Sequence, residues 1–75
     1  DKPDFEGRIK ILKVHMKNVK MDKDVEIEEI ARLTAGLAGA DLANIINEAA
    51  LLAGRKSQKT VKQKDLYESV ERAIA

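Results

Sequence analysis

The sequence predicts an all-α domain built from four short helices. Its 75 residues allow only one small domain, and 44% of them are apolar although only 3% are aromatic. Ala, Ile, Leu and Val supply most of the apolar residues and recur at spacings of three and four, the period of an amphipathic helix. The chain has no Cys, so disulfides and thiolate metal sites cannot support it. We therefore expect a four-helix bundle around an aliphatic core.

The first helix is predicted from about Asp4 to Asn18. Asp4 is a good N-cap, and Pro3 before it suits a helix entry. One stripe of the helix carries the expected core residues Phe5, Ile9, Leu12, Met16 and Val19. On a helical wheel Ile11 and His15, one turn apart, fall roughly opposite this stripe and beside Arg8.

The second and third helices are predicted at about 27–33 and 40–54. In the second, Ile27 and Ile30 point inward, together with Ala31 and Leu33, and Gly36 is a plausible stop. We expect Leu37 to fill the turn between the two helices. The third helix has one broad apolar face, formed by Leu42, Ile45, Ile46, Ala49, Leu52 and Ala53.

A polar connector separates the third helix from a fourth, predicted at about 63–74. Within the connector, Thr60 and Val61 suit a briefly extended backbone. The fourth helix groups Leu66, Val70, Ala73 and Ile74 on one face.

Composition and motifs argue against chemistry by this chain alone. A single His and no Cys exclude a His-rich metal site and a thiol nucleophile, and there is no Gly-rich phosphate loop ending in Lys-Ser or Lys-Thr. The net charge is only +1, which gives no general argument for a polyanionic partner. No apolar run approaches the ~20 residues of a membrane span, so we expect a soluble domain without direct membrane contact.

Ile11 and His15 admit two interpretations. They can pack under a loop or a neighbouring helix, or they can form a contact surface for a flat, partly polar ligand or another domain. A separate stripe of lysines on the same helix is typical of a solvated face; it is formed by Lys10, Lys13, Lys17 and Lys20.

Two noncatalytic classes fit the pattern. The helix, Gly-bearing turn and helix of residues 27–53 have the outline of a DNA-reading helix-turn-helix. However, no Lys or Arg occurs between Leu33 and Arg55, so the recognition helix would face the phosphates with Asp41 and Glu48. We therefore favour an accessory domain that packs on a larger partner and moves with it, and we expect no nucleic acid among its partners.

Several motifs resemble the C-terminal helical lid of AAA+ ATPases. They are Pro3-Asp4-x-x-Gly7-Arg8, Ile11-Leu12-x-x-His15, Thr34-x-Gly36-x-x-Gly39-Ala40-Asp41-Leu42 and Asn47-Glu48-Ala49-Ala50-Leu51. The resemblance covers essentially residues 1–75 and is strongest to the FtsH family of membrane-anchored, ATP-dependent zinc metalloproteases. Proteasomal and Cdc48-like ATPases have similar lids and remain an alternative.

This resemblance implies a lid that closes over ATP or ADP, bound with Mg²⁺ mainly by a preceding α/β domain. It implies that Ile11 lines the adenine, that His15 approaches the sugar and base, and that Gly39 and Ala40 take the sensor-2 place, where many AAA+ proteins have an Arg. It also implies a homo-hexameric ring, protein substrates, and zinc bound elsewhere in the parent protein. The parent would lie at the cytoplasmic side of the bacterial inner membrane or its organelle equivalent.

Four residues depart from the family pattern. Ala35 and Ala38 stand where Pro and Ser are more usual, and Lys62 stands where Ser or Thr often caps the last helix. Losing a Ser N-cap costs ~1 kcal/mol. Gly54 replaces the commoner Ala, and we expect it to end the third helix early. These departures bear on the stability of the helix ends.

Overall fold

Four helices account for most of the chain in the computed structural model, which describes residues 2–75. They are α1 (Phe5–Met16), α2 (Ile27–Leu33), α3 (Gly39–Arg55) and α4 (Gln63–Ile74). No strand occurs within these residues, so the all-α prediction is confirmed. The predicted helices agree with the observed ones to within two residues, the largest difference being at the end of α1. There the backbone tightens into a turn, with the Val19 N–H donating to the Met16 carbonyl at 3.0 Å.

The longest helix, α3, supplies more buried apolar residues than any other helix. It packs against α1 on one side and α4 on the other, while α2 contacts both α1 and α4. The core is aliphatic, as expected, and its fully buried large apolar side chains are Leu12, Ile30, Leu42, Ile45, Ile46 and Leu66. Burial of these side chains is the main favourable term for so small a fold.

Three apolar residues expected in the core are exposed. Leu33 and Ile74, in the last turns of α2 and α4, are 44% and 59% exposed, and Ala73 is also exposed. Leu33 and Ile74 line one shallow groove together with Tyr67. Helical periodicity shows which residues share a face, but it does not show where the neighbouring helix that would cover them ends.

The helix starts use two kinds of cap. Asp4 is the predicted N-cap of α1, and its Oδ1 accepts from the Gly7 N–H at 2.8 Å. At α3 and α4 the cap residues Ala38 and Lys62 provide no side-chain acceptor. Instead, a carboxylate three residues on accepts from each cap residue's own N–H; Asp41 Oδ2 does so at 3.0 Å and Asp65 Oδ2 at 2.8 Å. The starts of α3 and α4 therefore have the acidic half of a capping box without the half that the cap residue's side chain would supply.

The turn between α2 and α3 holds the chain close to the core. Gly36 has φ +89°, a conformation that favours Gly, which confirms it as the stop after α2. Thr34 is fully buried, and its hydroxyl donates to the carbonyls of Ile30 at 2.9 Å and Ala31 at 3.2 Å. Leu37 is half-buried against the core, as predicted.

Gly54 does not end α3. The helix continues through Arg55, and the residue in the left-handed conformation is Ser57, with φ 58°. The Ser57 N–H donates to the Gly54 carbonyl and the Gln58 N–H to the Ala53 carbonyl, both at 3.0 Å. This is the Schellman pattern, in which the αL residue stands just after the helix. The expectation that Gly54 ends the helix was therefore wrong, although the observed end at Arg55 is only one residue further on.

The two connectors at the other end of the bundle are joined by backbone pairing. Met21 and Val61 form an isolated parallel bridge, which confirms the extended backbone predicted at Val61. The Val61 N–H donates to the Lys20 carbonyl at 2.9 Å, and the Asp22 N–H donates to the Val61 carbonyl at 2.8 Å. The connector between α1 and α2 is thereby fixed to the one between α3 and α4.

Candidate functional site

Ile11 and Gly39 meet where α1 crosses the beginning of α3. Ile11 is half-buried and packs against the core, and a Cβ atom placed on Gly39 would lie 3.7 Å from Ile11 Cδ1. The wheel position of Ile11, roughly opposite the core stripe, was therefore misleading, because the start of α3 covers that part of α1. Ile11 therefore packs in part against a neighbouring helix, and the contact surface that Ile11 and His15 could form for a ligand or another domain stays a prediction.

His15 and Ala40 remain exposed. His15 follows Ile11 by one helical turn on α1, and Ala40 follows Gly39 at the start of α3. The structure thus brings Ile11 and Gly39 into one corner. His15 lies one helical turn from Ile11, Ala40 adjoins Gly39, and both are open to solvent. An accessible corner of this kind can be covered by a ligand or by another domain.

The electrostatics of this corner favour an uncharged group. Gly39 and Ala40 are the first residues of α3, so their N–H groups have no carbonyl acceptor within the helix, and the helix dipole is positive there. The exposed carboxylate of Asp41 offsets that potential, and no Lys or Arg occurs between Leu33 and Arg55. The corner therefore suits a base or sugar better than a phosphate.

Arg8 is buried, which corrects its expected place on the outer face of α1. It is only 7% exposed, and its Nε donates to the Ala31 carbonyl at 2.8 Å while its Nη1 donates to the Pro3 carbonyl at 3.2 Å. Its Cζ also lies 5.9 Å from the centroid of the Phe5 ring. A wheel drawn for α1 alone cannot include the end of α2, which supplies one of these acceptors.

A buried carboxylate at the start of α4 was not predicted. Asp65 is completely buried, and its oxygens accept from Lys56 Nζ at 2.8 Å, Gln58 Nε2 at 2.7 Å and the Lys62 N–H at 2.8 Å. Burial by itself would raise the pKa of Asp65, but these hydrogen bonds outweigh it and hold the pKa below its ordinary value of 3.8. The hydrogen bond to Asp65 raises the pKa of Lys56.

The Asp65 arrangement holds the fold together, since every group in it bonds to another part of the same chain. Its recognisable sequence feature is an Asp three residues after a cap position, the acidic half of a capping box. A groove of about 310 Å³ lies between the first half of α3 and the second half of α4, lined by Asp41, Asn44, Ile45, Glu48, Ser69, Arg72 and Ala73. None of Ile11, His15, Gly39 and Ala40 lines this groove.

Residues 2–75 contain no group of three His, Cys, Asp or Glu side chains that could hold a metal ion. In the same part of the chain, no helix has the length and apolar character needed to cross a membrane.

Comparison with known proteins identifies the fold. A sequence model described as the AAA+ lid domain matches residues 24–68. The chain belongs to the AAA+ lid domain family. The match includes the start of α3, with Gly39 and Ala40, while Ile11 and His15 precede it. The lid resemblance carried by the motifs is thereby confirmed.

Relatives of the lid bear the name ATP-dependent zinc metalloprotease FtsH. The lid is 73% identical to a segment of the protein of that name from Helicobacter felis and covers 12% of it. It is 66% identical over 74 residues to the FtsH of a Sulfurovum species, covering 11%, and 53% identical to FtsH 4 of a Synechocystis species, covering 12%. All or nearly all of the lid is aligned in each case. The lid thus spans about one-eighth of the length of these relatives, and it resembles their FtsH lids as the motifs predicted.

Proposed function

We propose that this lid closes over ATP or ADP held by an adjacent α/β domain in an FtsH-like AAA+ ATPase. Movement of the lid would couple ATP hydrolysis to the unfolding of protein substrates for proteolysis. The observation that carries the proposal is the match of the whole chain, at 73% identity, to a protein named ATP-dependent zinc metalloprotease. Membership of the AAA+ lid domain family supports the same role.

The nucleotide contact is assigned to the corner between α1 and α3. Ile11 offers an apolar side chain to the adenine ring, and the absence of a side chain on Gly39 leaves room for close approach to the backbone of α3. His15 is exposed one turn further along α1, where its imidazole can reach the sugar and the base edge. Ala40 provides backbone without a side-chain cation.

The phosphates and Mg²⁺ are assigned to the α/β domain, because the α3 side of the corner has Asp41 and no Lys or Arg. Mg²⁺ bound with the phosphates would neutralise charge there during hydrolysis. The residues of the lid bind and orient the base and sugar and exclude water from one side of the nucleotide. Zinc belongs to a different part of the parent protein in this proposal.

The proposed assembly is a homo-hexameric ring at the cytoplasmic side of the bacterial inner membrane, or its organelle equivalent. In this ring the partners of the lid are the preceding α/β domain and neighbouring subunits. Protein substrates contact the parent protein. The lid itself needs neither nucleic acid nor direct membrane contact.

The experiment that tests this role is His15→Ala in the full-length protein, with ADP affinity as the measurement. We expect binding about five-fold weaker, which corresponds to losing ~1 kcal/mol of polar interaction. Because His15 is exposed, thermal unfolding of the lid should hardly change. Val14→Ala is the matched control, since Val14 is 61% exposed on the same helix. Equal ADP affinity in the His15→Ala and unmodified proteins would remove His15 from the nucleotide contact.

A further inference from the structure

The motif Pro3-Asp4-x-x-Gly7-Arg8 folds back on itself where the chain enters the lid. Asp4 Oδ1 accepts from the Gly7 N–H at 2.8 Å, and the Pro3 carbonyl accepts from Arg8 Nη1 at 3.2 Å. Pro3 and Asp4 precede α1, whereas Gly7 and Arg8 lie near its beginning. These two bonds therefore fix the direction from which the chain approaches α1.

The same Arg8 guanidinium reaches a second helix. Its Nε donates to the Ala31 carbonyl at 2.8 Å, in the last turn of α2, where carbonyls lack donors from their own helix. The negative end of the α2 dipole also favours a cation at this place. The Ala31 carbonyl accepts in addition from the hydroxyl of Thr34, which begins the turn leading to α3. One buried side chain thus joins the entering segment to the end of α2.

We propose that Arg8 is a positioning residue that clamps the chain entering the lid to the C-terminal end of α2. Through the buried Thr34, the clamp also fixes the entering chain relative to the turn that leads to Gly39 at the start of α3. This inference rests on the proposed function, because it places an α/β domain before Pro3. With the clamp intact, the lid and the segment that joins it to that domain move as one body.

Arg is suited to this role because its donors point in two fixed directions. The planar fork allows Nε and Nη1 to serve two carbonyls at once, and the guanidinium can lie against the Phe5 ring. A Lys ammonium has one nitrogen on a flexible stem, so it would have to reach the Pro3 and Ala31 carbonyls from a single point and without the rigid fork of Arg. The charge of Arg8 alone is therefore insufficient for the clamp.

The test measures the spread of distances between the lid and the preceding domain. In the full-length protein, one spin label is placed at the exposed position 64 by Lys64→Cys and another on the surface of the α/β domain. We expect a narrow distance distribution in the otherwise unmodified protein and broadened ones in Arg8→Gln and Arg8→Lys. Recovery of the narrow distribution by Arg8→Lys would overturn the clamp, since it would show that charge suffices.

Gly7→Ala gives a second route that leaves Arg8 in place. An added Cβ would lie 3.0 Å from Pro3 Cβ and 3.1 Å from Asp4 Oδ1, so the entering segment must give way by a few tenths of an ångström. Ala favours helix over Gly, so the lid should remain folded. We expect Gly7→Ala to broaden the distance distribution. If Arg8→Gln prevents folding, Gly7→Ala provides the test of the clamp. An unbroadened distribution in Gly7→Ala with a displaced entering segment would overturn the proposal.

Arg32→Gln is the matched control. Arg32 also has its Cζ 5.9 Å from the Phe5 ring, but it is exposed and pairs with Glu29. We expect this variant to keep the narrow distribution, and broadening equal to that of Arg8→Gln would count against a specific clamp. The mean distance, measured with and without nucleotide, tests the proposed function separately. A mean that does not respond to nucleotide contradicts lid closure, whereas the width continues to report on the clamp.

Discussion

Lys56 Nζ lies 2.8 Å from Oδ1 of the completely buried Asp65 and joins the end of α3 to the start of α4. Gln58 and the Lys62 N–H share the second oxygen, Oδ2. The carboxylate thereby fixes both ends of the connector between the two helices. Because Lys56 is partly exposed, water reaches the cation while the anion is enclosed by protein.

Replacing Asp65 should destabilise the lid and remove part of its sensitivity to acid. Asp65→Asn places an amide donor against donors of the chain, and we expect a loss of about 2 kcal/mol in the free energy of unfolding near neutral pH. The pKa of Asp65 is lowered on folding, so its contribution is present above its ordinary pKa of 3.8 and is lost as the pH falls below that value. Chemical denaturation monitored by circular dichroism from pH 2 to 7 measures both effects.

Glu68→Gln is the control for the Asp65 experiment. Glu68 is 3.5 Å from the same Lys56 and 3.1 Å from Arg72, but its side chain is 37% exposed. Exposed ion pairs contribute little, so we expect a change within about 0.5 kcal/mol. Asp22 also has a lowered pKa, mainly through the hydrogen bond from the Asp24 N–H, and remains in both variants. If Asp65→Asn loses as much stability on acidification as the unmodified lid, other carboxyls are responsible for that loss.

Core truncation at Leu42 should come close to unfolding the lid. Leu42 is completely buried in α3, and Leu→Ala in such a position costs about 3 kcal/mol through lost burial and a residual cavity. A domain of this size has a small stability to lose. Leu51→Ala on the same helix is the control, because Leu51 is 53% exposed and should change little. Equal denaturant midpoints for the two variants would contradict the assigned core.

Gly39→Ala separates the fold from the proposed nucleotide contact. The added Cβ would lie at an ordinary van der Waals distance of 3.7 Å from Ile11 Cδ1, and Ala favours helix over Gly. Thermal unfolding of the lid should therefore occur at the same temperature or a higher one. In the full-length protein we expect weaker ADP binding, because the methyl group occupies the approach to the α3 backbone. ADP binding that remains as tight as in the unmodified protein would show that nucleotide does not approach Gly39.

Ser57→Gly should stabilise the lid by about 1 kcal/mol. Ser57 has φ 58°, which costs a side-chain-bearing residue energy that Gly avoids, and Gly is the common residue at this place in the Schellman motif.

Gly54→Ala should stabilise the lid by a similar amount, because Gly54 is helical and a Cβ there meets nothing within 4 Å. Denaturant midpoints of the single and double variants measure both effects. A lower midpoint for Ser57→Gly would show that its left-handed backbone is not strained.

The sequence was sufficient to predict the four helices, because an aliphatic core leaves a strong period of three to four residues. It also predicted the α1 cap at Asp4 and the stop at Gly36, whose chemistry is local. The burial of Arg8 and Asp65 could not be predicted in this way. Arg8 bonds to a carbonyl on another helix, and Asp65 bonds across a connector, so neither arrangement leaves a periodic pattern.

The candidate site was predicted from motifs and only partly from physical chemistry. The resemblance to AAA+ lids selected Ile11, His15, Gly39 and Ala40, and the structure places Ile11 beside Gly39. A helical wheel put Ile11 on the outside because the wheel contains α1 alone, whereas the start of α3 covers that side. Which helix covers a given face depends on tertiary packing, which the period of one helix does not contain.

The bridge between Met21 and Val61 has a consequence for the kinetics of folding. It joins segments on either side of α2 and α3, so it can form only after the intervening chain has been brought together, and loop closure of that length is costly. Most other structure in the lid is helical and local, which favours rapid folding. In refolding followed by pulsed hydrogen exchange, the N–H groups of Val61 and Asp22, both bonded across this bridge, should therefore become protected later than the N–H groups within the helices.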